Sequence, residues 1–128
     1  MFDEIEKVAK EVGIPYSGHV STDVGIRRAL EAQYASIDHV DGYLEELVPE
    51  SAGVNPSESG FFGLNFTDLT DQSLLPDLVA MTKTQHVRTV PTQSVMDRWI
   101  TSTDPALLSS EDAMQYIPPA LLARYVNA

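Results

Sequence analysis

Two short runs decide the fold: Ile14-Pro15-Tyr16-Ser17-Gly18-His19-Val20 and Ala35-Ser36-Ile37-Asp38-His39-Val40. Each reads as a strand that closes on a histidine. Between them, Val24, Ile26, Ala29 and Leu30 recur at helical spacing, Arg27, Arg28 and Glu31 face outward, and Ser21 or Thr22 stands where a helix N-cap is expected. The pattern predicts a β-α-β unit. Its right-handed crossover places the two strands side by side and parallel, about 4.8 Å apart, with both C-terminal ends on one edge. His19 and His39 therefore come together at that edge, within reach of one metal ion.

Upstream, Phe2, Ile5, Val8, Ala9 and Val12 form an apolar helical stripe that stops at Gly13 and Pro15. Downstream, the regular pattern weakens between residues 41 and 70, where Gly, Pro, Ser and Asn cluster, and the stretch is expected to be a long loop of the kind that forms lids and binding sites. Leu74, Leu75, Leu78, Val79 and Met81 mark another helix, a strand follows at about Val87 to Val90, and Pro91 ends it. Helix-like stretches fill the remainder, including one started by Pro118 or Pro119 with Leu121, Leu122, Tyr125 and Val126 apolar. The alternation argues for a single α/β domain over residues 1–128, with about three parallel strands and flanking helices. Three parallel strands leave two bare hydrogen-bonding edges, so self-association or complementary segments are expected to supply the missing neighbours.

A 128-residue chain that is 43% hydrophobic has enough apolar material for a packed core. Its net charge of −11, with 19 acidic against 8 basic residues and no basic run, disfavours nucleic acid and anionic membrane surfaces as partners. The absence of cysteine excludes disulfides and thiolate zinc sites, so any metal must be held by His, Asp or Glu. No segment has the length and apolarity of a membrane span or the form of a targeting signal; a soluble chain is expected, with no compartment indicated.

With these residues in place, the chain resembles the amidohydrolase superfamily, in its imidazolonepropionase-like and prolidase-like branch. The matching text is Glu11 to Val20, Ala29-Leu30-Glu31-Ala32, Ala35 to Tyr43, Pro91-Thr92 and Tyr116 to Pro119; the Gly-His and Ser-Ile-Asp-His pair is its specific part. The resemblance implies a partial (β/α)8 TIM barrel covering strands five to seven. His19 and His39 then stand as metal ligands, with zinc the expected divalent ion. The implied activity is hydrolysis of C–N bonds in amides, cyclic amides or dipeptide-like small molecules by metal-activated water. The family's His-x-His, bridging lysine and last-strand aspartate have no counterpart here, and a whole barrel takes about 250 residues. The resemblance thus implies a fragment of a larger enzyme, inactive alone. The alternative is a non-catalytic α/β binding or assembly module that retains the barrel layout.

Other residues weigh less. Tyr43 follows the second strand on the site side and is expected either to hydrogen-bond a substrate carboxylate or carbonyl or to pack under the loop. Asp41 lies on the same side, whereas strand alternation turns Asp38 toward the helix layer. His86 precedes its strand and reads as structural; Trp99, Tyr116 and Tyr125 read as core more readily than as pocket wall. Glu45, Glu46 and Glu50 read as a solvated face, and no phosphate loop or Ser-His-Asp pattern is present.

Overall fold

The computed structural model describes residues 1–100, 104, 107 and 109–126. It contains two compact units, Met1–Thr92 and Gln93–Ala128.

The first unit is a mixed α/β layer. Helix α1 (Phe2–Val12) carries Asp3 and Glu4 in its first turn and Lys10 in its last, the signs that suit the helix dipole. Gly13, at φ 68°, ends it in the left-handed conformation that glycine adopts without a Cβ clash. Strand β1 (Ser17–Gly18) follows, then α2 (Gly25–Glu31), β2 (Ser36–Asp38) and the single-turn helix α3 (Tyr43–Glu46). After a series of tight turns come α4 (Leu75–Thr84) and β3 (Arg88–Val90). The three strands form one sheet in the order β1-β2-β3, parallel throughout. Ser17 and Gly18 pair with Ser36 and Ile37, and Ser36, Ile37 and Asp38 pair with Arg88, Thr89 and Val90.

Apolar packing holds this arrangement. Ile26, Leu30, Ile37 and Leu78 are the large fully buried side chains, joined by Val20, Ala29 and Val87. Burying each large side chain stabilises the fold by about 1.5–3 kcal/mol. Three of the four apolar positions read for the second helix, Ile26, Ala29 and Leu30, are buried on α2, which presses them onto Ile37 at the centre of the sheet. That helix has no side-chain cap. Val24 occupies the N-cap position, and Ser21 contributes its carbonyl instead, accepting from Val24 and Gly25 N–H.

The α1 stripe behaves differently from its periodicity. Ile5, Val8 and Val12 are 50%, 51% and 58% exposed, because α1 meets its neighbours through another face. Phe2 packs against Tyr34 at 5.9 Å between ring centroids, and Arg28 pairs with Asp3 and Glu6. Strand β3 is exposed at all three positions, and among the described strands β1 and β3 each pair on one side only.

The segment expected to be a long loop is built from local turns. Besides α3 it contains 3-10 turns at Glu50–Ala52, Pro56–Glu58, Phe61–Leu69 and, just beyond, Gln72–Leu74. Asn55 and Asp71 cap two of them by accepting from Ser57 and Ser73 backbone N–H, so the Asn, Pro and Ser that weaken long-range periodicity are the residues that fix short turns.

The second unit contains α5 (Gln93–Ile100), a 3-10 turn at Asp112–Tyr116 and α6 (Pro119–Val126). Tyr116 is 82% exposed, so it belongs to no core. The side-chain surroundings of Trp99 and Tyr125 lie outside the described residues. Among the described residues, no helix is long and apolar enough to cross a membrane.

Candidate functional site

The sheet register carries His19 and His39 just past the ends of adjacent strands, on the C-terminal edge. Their ring centroids are 4.9 Å apart, with the planes inclined by 36°. Backbone geometry beyond each strand explains the meeting. His39 N–H still donates to the Val90 carbonyl, but His39 and Val40 then both enter the left-handed region, at φ 57° and 59°, and the chain reverses. The reversal brings Asp41 back under β1.

Asp41 is buried, and its Oδ2 serves two donors. It lies 2.8 Å from His19 Nδ1 and 3.3 Å from Val20 backbone N. A carboxylate oxygen accepts, so the contact is met by the tautomer of His19 that donates from Nδ1, in which Nε2 is the ring's acceptor. Across the pair, His39 Nδ1 shares a 2.7 Å hydrogen bond with the Thr92 hydroxyl, which can play either role. Both imidazoles are thus held through Nδ1, the outer-shell arrangement that orients metal-binding histidines and leaves Nε2 for an ion. Among the described residues, no hydrogen bond engages either Nε2.

The spacing also suits a shared ion. With about 2.05 Å from nitrogen to zinc and a tetrahedral angle, two imidazole centroids sit about 5.2 Å apart, close to the 4.9 Å found. The donor set stops at two: among the described residues, no third His, Asp or Glu joins them in a group that could hold a metal.

Strain concentrates around the pair. Of the six non-glycine residues with positive φ among the described residues, His39, Val40, Phe62 and Thr92 belong to the site or adjoin it, and Val40 and Thr92 are β-branched. Such conformations cost about 1–3 kcal/mol each and persist where the surroundings over-determine them, commonly at functional sites.

A cavity of about 430 Å³ opens beside the two rings. His19, His39, Asp41, Glu45, Phe61 and Phe62 line it, together with smaller residues. The Phe62 ring stands 5.2 Å from that of His39. Glu45, expected on a solvated face, is instead folded in. Its Oε2 is buried with no hydrogen-bond partner among the described residues, and Gly63 sits directly against the carboxylate, because α3 packs on the turn that begins at Phe61. Glu46 does face outward, paired with Arg27, and Glu50 is exposed.

No protein-family model, curated protein or solved structure matches the chain. The site is therefore read from its own geometry.

Tyr43 opens α3, does not line the cavity beside the histidines, and has its hydroxyl 2.9 Å from Thr82 Oγ1 and its ring packed on the apolar core. Burial pushes its phenol above the ordinary value, with the Thr82 bond opposing. This is the packing alternative, and nothing in the contacts of Tyr43 directs its hydroxyl to the histidines. His86 is exposed at the opposite end of β3, and Asp38 lies on the strand itself. Asp41 and Thr92 as imidazole partners had only weak sequence signals, the first as a neighbour of His39 and the second within Pro91-Thr92.

Proposed function

We propose that this chain is part of an amidohydrolase-type (β/α)8 barrel whose His19 and His39 hold one divalent ion, most simply zinc. The observation that carries the reading is the imidazole pair itself: two rings on one sheet edge, 4.9 Å apart, each held through Nδ1. The parallel β1-β2-β3 order and the unpaired outer edges agree with a slice of a larger parallel barrel. Imidazole suits zinc, and an ion held by His19 and His39 would supply Lewis acidity toward an amide carbonyl and its attacking water. The substrate class is a small molecule with a hydrolysable C–N bond.

The chain's own residues perform the supporting steps. Asp41 orients His19, Thr92 orients His39, and Phe61 and Phe62 give the cavity an apolar wall. With two ligands alone, turnover by this chain is not expected. A second reading, a non-catalytic α/β binding module, is favoured by one observation: no third ligand joins the pair among the described residues.

Calorimetric titration of the purified chain with zinc tests the proposal. One bound ion, lost in both His19→Ala and His39→Ala with the folded signal retained, supports the metal reading. No binding, or binding that survives both substitutions, leaves the binding-module reading in its place.

A further inference from the structure

Glu45 is the group that the metal reading does not use. Its Oε2 is buried and unpartnered, in a protein interior where a carboxylate oxygen left without a donor is expensive. Sequence-distant elements hold it there. Gly63 presses on it from the turn, and α3 carries it inward from just beyond the His39–Val40 reversal. Asp41, the other acid of the cavity wall, already accepts from His19 and Val20. Both of these contacts fall on Asp41 Oδ2, and Glu45 Oε2 is the buried carboxylate oxygen of the wall that lacks a donor among the described residues.

The cavity around it has a definite chemical bias. Its lining contains two carboxylates, two imidazoles and two phenyl rings, and neither Lys nor Arg. The nearby guanidinium of Arg27 is taken by Glu46 on the outer surface. A ligand carboxylate would find no cation of the protein to pair with. A protonated amine would find an acceptor that needs a donor, in a cavity of about 430 Å³, within the size range of small-molecule sites.

We infer that Glu45 is a specificity residue that binds the protonated amino group of a small ligand whose other end lies at the His19–His39 pair. The inference rests on the proposed function only for what sits at the histidines; recognition of the amine by Glu45 stands without the metal. A charge-assisted hydrogen bond of this kind corresponds to roughly a 10- to 150-fold effect on affinity.

The test uses the full chain and two probes of similar size, 4-aminobutanamide and succinamate, one cationic and one anionic at neutral pH. NMR shift titrations are run with and without zinc. The cation should bind at least about 10-fold more tightly than the anion, with shifts at Glu45, Gly63 and Phe62, and the near-isosteric Glu45→Gln should weaken it by about 10-fold or more. Zinc affinity should be unchanged by Glu45→Gln. Equal binding of the two probes, a preference for succinamate, or an unaltered cation affinity in Glu45→Gln would overturn the inference. The comparison of probes on the unsubstituted chain requires no variant to fold. Selective amine binding by a chain that takes up no zinc would refute the metal reading while leaving this one intact.

Discussion

Replacing Gly63 by alanine probes the contact that folds Glu45 inward. Gly63 is buried at φ 75°, and a Cβ built there meets Glu45 Oε2 at 2.9 Å, its Cδ at 3.0 Å and Oε1 at 3.2 Å. An L-residue in this left-handed conformation costs about 1–2 kcal/mol, and overpacking against the carboxylate adds about 1–3 kcal/mol. The lower entropy of the unfolded alanine chain offsets about 0.4–1 kcal/mol. The net loss is about 1–5 kcal/mol, readable as a fall in the urea midpoint at constant slope. The steric part belongs to a pair, so a double-mutant cycle isolates it. In a Glu45→Ala background the carboxylate is gone, and Gly63→Ala should cost no more than about 1–2 kcal/mol, the backbone contribution alone. A Gly63→Ala penalty of the same size in both backgrounds would show that Glu45 is not packed beneath the turn, and the reasoning about the cavity wall would fail with it.

Three further outcomes are expected. Tyr43→Phe should lose only the Thr82 hydrogen bond, about 0.5–1.5 kcal/mol of stability, and leave zinc affinity unchanged; a large loss of zinc or ligand binding would return Tyr43 to the site. Asp71, whose carboxyl lies below its ordinary 3.8 because Ser73 hydrogen-bonds it, contributes stability that is fully present above that value and lost as pH falls through the lowered one; an acid-melting curve should therefore be flatter in Asp71→Ala, and an unchanged acid limb would contradict the cap. The bare edges of β1 and β3 and the exposed stripe of α1 should make the chain associate as concentration rises, measurable by sedimentation velocity, and a monomer throughout would show that these surfaces are tolerated in water.

Much of the first unit is legible in the sequence because its signals are periodic. Ile26, Ala29 and Leu30 announce a one-faced helix, and the strand-like runs on either side bring His19 and His39 to one edge through topology alone. What the sequence conceals is made by single backbone conformations. The left-handed pair His39–Val40 turns Asp41 under His19, and no composition or spacing signals a positive φ at a β-branched residue. The inward turn of Glu45 leaves no mark in the sequence because α3 has only four residues, too few for a helical pattern to distinguish an inward from an outward face. The 41–70 stretch lacks a regular pattern because its order is made of short turns, two of them three residues long and the longer Phe61–Leu69 segment broken by left-handed residues, below the length at which periodicity can be seen. The α1 stripe shows the converse: Ile5, Val8 and Val12 have the pattern of a buried face with no described surface covering them.

In the metal reading, His19 and His39 share one ion through Nε2 while Asp41 and Thr92 hold Nδ1. Long-range proton–nitrogen NMR of the imidazoles during zinc addition tests it directly, with exposed His86 as an internal reference. Nε2 of both His19 and His39 should shift together, saturating at one zinc per chain, while the His19 Nδ1 contact with Asp41 is kept and His86 does not move. Shifts confined to His86, or no shift at either His19 or His39, would contradict it.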